Sequence, residues 1–176
     1  IRPDRGEIMD CNRNVLASST PLYTIRMDCQ IQKAEMQNGP IHMGNDTLSE
    51  HQWRQLARET CNALPKLVGG ETTADQYYDR IILNRDSKDK PGRRDVKLIS
   101  GIDHSTLLKV KKLPLFRLPP RISGMMIDKR GSRKYPYGEL GRRLIGDVRY
   151  DANDPSRNRS LGIEGQYNHI LKGKEG

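Results

Sequence analysis

Residues 5–19 read RGEIMDCNRNVLASS. Two short β-compatible runs, residues 7–10 and 15 onward, flank a polar knot at residues 11–14. Turn residues between two such runs predict an antiparallel hairpin near the start of the chain. The second run continues as VLASSTPLYTIRMDCQI over residues 15–31. Its alternation places Tyr23, Ile25 and Met27 on one face of a strand. Pro21 has no N–H to give a neighbouring strand, so the ladder must be bulged or at an edge there.

Helical signals follow a stretch, QNGPIHMGND at 37–46, that reads as a loop. Ser49 with Gln52 three residues later makes a capping box, and Leu48 is placed to staple onto Trp53. Trp53, Leu56, Ala57, Thr60, Cys61 and Leu64 keep helical spacing, and Pro65 is expected to stop the helix. The lone Trp reads as a core anchor. A second helix is expected over residues 72–85, capped by Thr73 with Gln76 at its third position. Residues 86–95 form a charged loop, 96–100 a strand, and 103–114 a helix closed by Pro114. Residues 121–138 suggest a strand leading into a turn, and 139–146 a short helix ending at Gly146. The loop at 151–160 precedes a last helix at 163–173. That helix would carry Ile163, Tyr167, Ile170 and Leu171 on one face and Gly173 at its end.

A chain of 176 residues has room for one ordinary domain or two small lobes. With one Trp and one Phe, its core must rest on Leu, Ile, Val, Met and a few Tyr. The formal charge of +9 favours anionic partners such as nucleic acid, phospholipid headgroups or a polyanionic polymer. No run approaches the ~18 apolar residues that read as a membrane span, and there is no signal-peptide core. The first residue is Ile1, so the chain is expected to begin inside a longer gene product.

Cys11, Cys29 and Cys61 lack metal-ligand spacing and read as three reduced thiols. His42, His51, His104 and His169 are scattered, so neither a metal nor a cofactor is expected. Ser87-Lys88-Asp89-Lys90 matches the Ser-x-x-Lys of penicillin-interacting enzymes, and Ser156-Arg157-Asn158 a loose Ser-x-Asn. Both lie in highly polar loops, whereas a nucleophile must be held rigidly, and no Lys-Thr-Gly partner is present. No catalytic residue is assigned.

Three stretches together carry a family resemblance. Arg5-Gly6-Glu7-Ile8-Met9-Asp10-Cys11-Asn12-Arg13-Asn14-Val15-Leu16-Ala17 resembles the motif that opens the periplasmic part of class B penicillin-binding proteins. Arg133-Lys134-Tyr135-Pro136-Tyr137-Gly138, with Leu140 and Gly146 after it, is similar to their Arg-x-Tyr-Pro-x-Gly segment. Gly162-Ile163-Glu164-Gly165-Gln166-Tyr167, through Leu171, Gly173 and Gly176, is similar to a third. Cys11 stands where the family usually has Arg, and Arg13 where it usually has Gly. A Gly there supplies positive φ, so either Asn12 or Asn14 takes that conformation or the turn is of another type.

The resemblance implies a non-catalytic pedestal, or dimerisation, domain of α+β class, with small antiparallel sheets, packed helices and two lobes. The motif-bearing lobe is expected at 1–30 and 121–176, and a head lobe at 31–120. Arg5, Gly6, Asp10, Asn12, Leu16, Arg133, Tyr135, Pro136, Gly138, Gly146, Gly162, Glu164, Gly165, Tyr167, Gly173 and Gly176 are its structural positions. Glu164 is expected to form a partly buried ion pair with Arg5 or Arg133, bidentate by preference, with Gly162 and Gly165 leaving room for the approach. The resemblance further implies a single membrane helix before the first motif and a transpeptidase domain after the third. The expected setting is periplasmic, in peptidoglycan synthesis for cell division or cell shape. Expected partners are the transpeptidase domain of the same chain, a glycosyltransferase, divisome or elongasome proteins, and a second copy as a homodimer. The rival reading, a basic nucleic-acid-binding module, rests on KKLPLFRLPPR and IDKRGSRKYPYGELGRR. Scarce aromatics for base stacking count against it, so no nucleic acid is expected.

Overall fold

The computed structural model describes residues 4–43, 46–87, 94–139, 141–149 and 159–173. The architecture is α+β. In chain order the elements are β1 (Ile8–Met9), β2 (Val15–Met27), α1 (Lys33–Asn38), β3 (Ile41–Met43), β4 (Asp46–Leu48), α2 (Glu50–Val68), α3 (Ala74–Asp86) and β5 (Val96–Ile102). They continue as α4 (His104–Val110), α5 (Pro120–Ser123), β6 (Met125–Lys134), α6 (Arg142–Ile145), β7 (Val148–Arg149), β8 (Arg159–Ser160), α7 (Gly162–Gln166) and α8 (Asn168–Leu171). Strands β1, β5 and β6 all pair with β2, and two small antiparallel pairs, β3–β4 and β7–β8, stand apart from that sheet.

The chain divides into two units, Ile1–Pro21 with Gly131–Gly176, and Leu22–Arg130. The motifs alone set these limits at 30 and 121. The difference arises because the far half of β2 and the near half of β6 carry Ile25, Met27 and Met125, which belong to the second unit's core.

In the first unit β1 pairs antiparallel with the start of β2, Ile8 opposite Ala17 and Met9 opposite Val15. The hairpin turn differs from expectation in one respect: Arg13 itself takes the left-handed conformation, φ 66°. Asp10 makes this tolerable. Its Oδ1 accepts the backbone N–H groups of Asn12 and Asn14, each at 2.8 Å, and its Oδ2 accepts the Asn14 side-chain amide. Such an Asx turn supplies hydrogen bonds that offset left-handed strain. Ile8, Ala17, Ile145 and Leu171 are the buried apolar core, with Leu16, Tyr135 and Ile163 packed on it.

The second unit is built on twenty-one buried residues among those described. Both capping boxes form, Ser49 with Gln52 and Thr73 with Gln76. Trp53 is wholly buried and donates its indole N–H to the Ile122 carbonyl at 3.1 Å. Thr60 Oγ1 accepts the Leu115 N–H at 2.9 Å, so α2 is tied to the segment after α4 by a buried polar contact.

Several local expectations fail for identifiable reasons. Pro65 lies inside α2, which runs on to Val68. So near the C-terminus the missing proline N–H forfeits a single hydrogen bond, and Gly69 closes the helix by donating to the Pro65 carbonyl. The stretch read as a loop at 37–46 holds the end of α1, all of β3 and the first residue of β4, and the two strands pair with Ile41 opposite Leu48. Helix α4 stops at Val110, short of Pro114. The last helix is broken in two at Tyr167, whose φ of −98° and ψ of 16° leave helical geometry. Tyr167 and Ile170 are exposed there, and the buried positions are Glu164 and Leu171.

Candidate functional site

The first unit buries a carboxylate. Glu164 is 1% exposed, on the short helix α7. Its two oxygens each take a different arginine: Arg5 Nε donates to Oε2 and Arg133 Nε to Oε1, both at 2.6 Å. One arginine in a bidentate grip is therefore replaced by two, one from the opening segment and one from the end of β6. Arg5 also donates Nη1 to Asn168 Oδ1 at 2.7 Å and Nη2 to the Glu164 carbonyl at 2.9 Å. Arg133 spends Nη1 on the Gly6 carbonyl at 2.7 Å and Ser19 Oγ at 3.2 Å. Its Nη2 is buried without a hydrogen-bond partner among the described residues.

Charge-assisted hydrogen bonds of this kind are short and directional. Two guanidinium groups around one carboxylate would repel each other strongly if the carboxylate were removed, so the cluster forms as a unit. A backbone bond runs parallel to it: the Gly6 N–H donates to the Leu171 carbonyl at 2.8 Å. A Cβ on Gly6 would press on Leu171 Cδ2 at 3.4 Å. The opening segment is thus held against the last two helices at both side-chain and backbone level.

The other motif positions surround this clamp in distinct roles. Asp10 and Asn12 lie in the hairpin turn, and Leu16 packs on the small core. Tyr135 begins a turn through Pro136 that closes when the Gly138 N–H donates to the Tyr135 carbonyl at 3.0 Å, with Gly138 at φ 58°. The Tyr135 ring carries the Arg142 guanidinium 3.6 Å above it, a cation–π contact. Gly146 and Gly162 are in contact backbone to backbone. A Cβ on Gly146 would collide with the Leu161 carbonyl, and one on Gly162 would sit 2.5 Å from the Leu144 carbonyl oxygen. Both have positive φ, 73° and 65°, so glycine is required twice over. Gly165 donates to the Leu161 carbonyl at 3.0 Å, and Gly173 follows α8 with φ 68°. Tyr167 is exposed at the break between α7 and α8, away from the clamp's buried carboxylate. Gly176 and Leu140 lie outside the described residues.

The penicillin-binding protein dimerisation domain family matches residues 1–176. The chain belongs to that family. The dimerisation domain is similar to part of Penicillin Binding Protein 2X from Streptococcus thermophilus, with 22% identity over 99% of this chain and 23% of that one, at a TM-score of 0.63. It is also similar to a peptidoglycan synthetase from Bifidobacterium adolescentis, with 22% identity over 99% of this chain and 29% of that one, TM-score 0.51. A third likeness is to a complex between Penicillin-Binding Protein (PBP2) and MreC from Helicobacter pylori, with 17% identity, 99% and 29% coverage and a TM-score of 0.52. At these identities the likeness is one of fold, and the chain spans about a quarter of each solved relative. A comparison with curated protein sequences finds no match. The family matched is the dimerisation domain and not the catalytic one, and neither it nor these structures supports a nucleic-acid-binding reading.

Sequence reasoning missed three contributors to the clamp region. Asn168 sits four residues after Glu164, a helical spacing that could have flagged it. Ser19 follows buried Ala17 by two, so it shares that strand face. Arg142 entered only as one charge of the basic stretch 127–143. The dimerisation domain also holds Cys29 and Cys61 as buried thiols, both pushed up to about 12 chiefly by burial, while Cys11 is exposed. Ser87 follows α3, whereas Lys88–Lys90 and Ser156–Asn158 lie outside the described residues. Among the described residues no cluster of three potential metal ligands occurs, and no helix is long and apolar enough to cross a membrane.

Proposed function

We propose that this dimerisation domain is a non-catalytic, extracytoplasmic scaffold of a class B penicillin-binding protein. In that role it positions a peptidoglycan transpeptidase, carried by the same parent protein, and docks the parent onto partner proteins of cell-wall synthesis. A single membrane helix before the first motif would anchor the parent. The observation that carries this reading is the Arg5–Glu164–Arg133 clamp, in a chain whose whole length matches the family. It fastens Arg5 of the opening segment and Arg133 of β6 to one buried carboxylate near the end of the domain, which suits a module that must pass a fixed geometry from its entry to its exit. The Helicobacter pylori complex supports docking as a second task, because there a penicillin-binding protein is captured with MreC.

The test is a parent gene carrying a deletion of this domain. Its product should still be acylated by a labelled β-lactam, yet fail to rescue growth or peptidoglycan cross-linking in a depletion strain. Full rescue by the deletion would overturn the scaffold role. Stoichiometric acylation of the 176-residue chain itself would overturn its non-catalytic character.

A further inference from the structure

The second unit has a concavity of about 700 Å³ whose lining includes Arg26, Arg80, Asn84, Asp95, Lys97 and Arg130. Such a volume lies in the range of ordinary ligand sites. Four of these six side chains are cationic, and they come from β2, α3, β5 and β6. Arg26 is answered internally, by Asp95 through two hydrogen bonds and by Asp128 at 3.4 Å. The other three cations are not answered in this way. Lys97 and Arg130 are exposed and form no side-chain ion pair among the described residues, and Arg80 reaches only the Lys97 carbonyl at 3.4 Å.

The register sharpens the point. Arg26 and Lys97 stand directly opposite each other on the antiparallel β2–β5 pair. Like charges in that position destabilise a sheet. Here Asp95 and Asp128 neutralise Arg26, which leaves Lys97, Arg80 and Arg130 as the charges that an incoming anion would answer.

We infer that this concavity receives the acidic side chains of a partner polypeptide. The inference rests on the scaffold reading, of which it specifies one docking site. Asp95 in the lining decides between anions. It works against a uniformly anionic polymer or lipid headgroup, whereas a polypeptide brings carboxylates for Arg80, Lys97 and Arg130 together with N–H donors that a carboxylate and the Asn84 amide can meet.

The experiment uses the 176-residue chain and a short fluorescein-labelled oligo-glutamate followed by anisotropy. Combined Arg80→Glu, Lys97→Glu and Arg130→Glu should weaken binding at least about tenfold, with thermal unfolding confirming that the variant is folded. An equal charge change at the exposed Lys111, Lys112 and Arg117, each to Glu, should weaken it far less. Equal losses in the two variants, or none in the first, would overturn the site. Stronger competition by inorganic polyphosphate or phosphatidylglycerol vesicles than by unlabelled oligo-glutamate would overturn the ligand class. In the parent, charge reversal should impair rescue of growth. Full rescue by the charge-reversed parent, with rescue abolished by deleting the domain, would sink this inference and leave the scaffold reading standing.

Discussion

The two units of the domain bury opposite charges. The first encloses an acid, Glu164, between two arginines over a core of four buried apolar residues. The second encloses a base, Arg85, inside a core several times larger. The Arg85 guanidinium lies 3.8 Å over the Trp53 ring, pairs with both oxygens of Glu50, and donates to the Cys29 carbonyl at 2.9 Å. Arg54 and Asp86 extend the pair outward. Burial alone would raise the Glu50 carboxyl, but the hydrogen bonds from Arg85 and then Arg54 outweigh it and leave it below its ordinary value. The contrast teaches that similar ionic clusters carry different weight. Where apolar burial is scarce the cluster organises the unit, and where it is plentiful the cluster is one contributor among many.

The largest expected effect breaks the first unit alone. Glu164→Ala leaves Arg5 and Arg133 facing each other and should cost about 3–5 kcal/mol. Hydrogen exchange should then accelerate over 8–17, 142–149 and 159–171 while α2 stays protected. Buried Cys29 and Cys61 should remain closed to a thiol reagent in the same variant. Equal loss of protection in the two units, α2 included, would remove the contrast. Arg5→Ala and Arg133→Ala should each cost less, and be strongly non-additive with Glu164→Ala.

A smaller loss is expected from Arg85→Met, about 1–3 kcal/mol. Methionine keeps the packing on Trp53, and Glu50 retains Arg54 as a partner at a partly solvated position. Chemical denaturation of the variant should show it. A cost matching that of Glu164→Ala would mean that the large core does not cushion the change.

Arg13→Gly should act in the other direction, raising stability by about 0.5–1 kcal/mol. It relieves left-handed strain while loosening the unfolded chain somewhat. A lower melting temperature would show that the Asp10 turn already removes the strain.

The mildest test is pH. Asp103 caps α4, and hydrogen bonds from Thr106 and then Ser105 hold its carboxyl down to about 2, against an ordinary 3.8. Asp10 in the other unit is lowered too, first by the Asn14 side chain. A depressed carboxyl binds fewer protons folded than unfolded, so its stabilisation is present above 3.8 and fades as pH falls toward 2. Carboxyl carbon NMR titrations should show both residues titrating below the ordinary 3.8. Normal midpoints would mean that neither cap holds in solution.

What the sequence made legible was local. Capping boxes at Ser49 and Thr73, the opening hairpin and the Tyr-Pro turn are written within a few neighbouring residues. The buried ions depend on contacts that sequence distance hides. Arg85 meets partners 32 or more residues away at Trp53 and 35 away at Glu50, and within its own helix it resembles any solvated charge. At the end of the chain, apolar spacing pointed to Ile163, Tyr167, Ile170 and Leu171 as the inward face, and Leu171 is indeed buried. The break at Tyr167 turned two of those outward and left an acid inside. Glu164 was singled out through a family motif; periodicity alone would have assigned it to solvent.

The Arg5–Glu164 contact spans 159 positions of sequence. A force pulling on the two ends of the domain would therefore meet this contact, and the Gly6–Leu171 bond beside it, before it could stretch the chain between them. The clamp acts as a mechanical short circuit. Residues 22–130 are inserted in a loop that carries no load while it holds, so tension applied at the ends of the domain would rise without stretching that insertion. Rupture would be abrupt, because two arginines lose their shared anion in the same step.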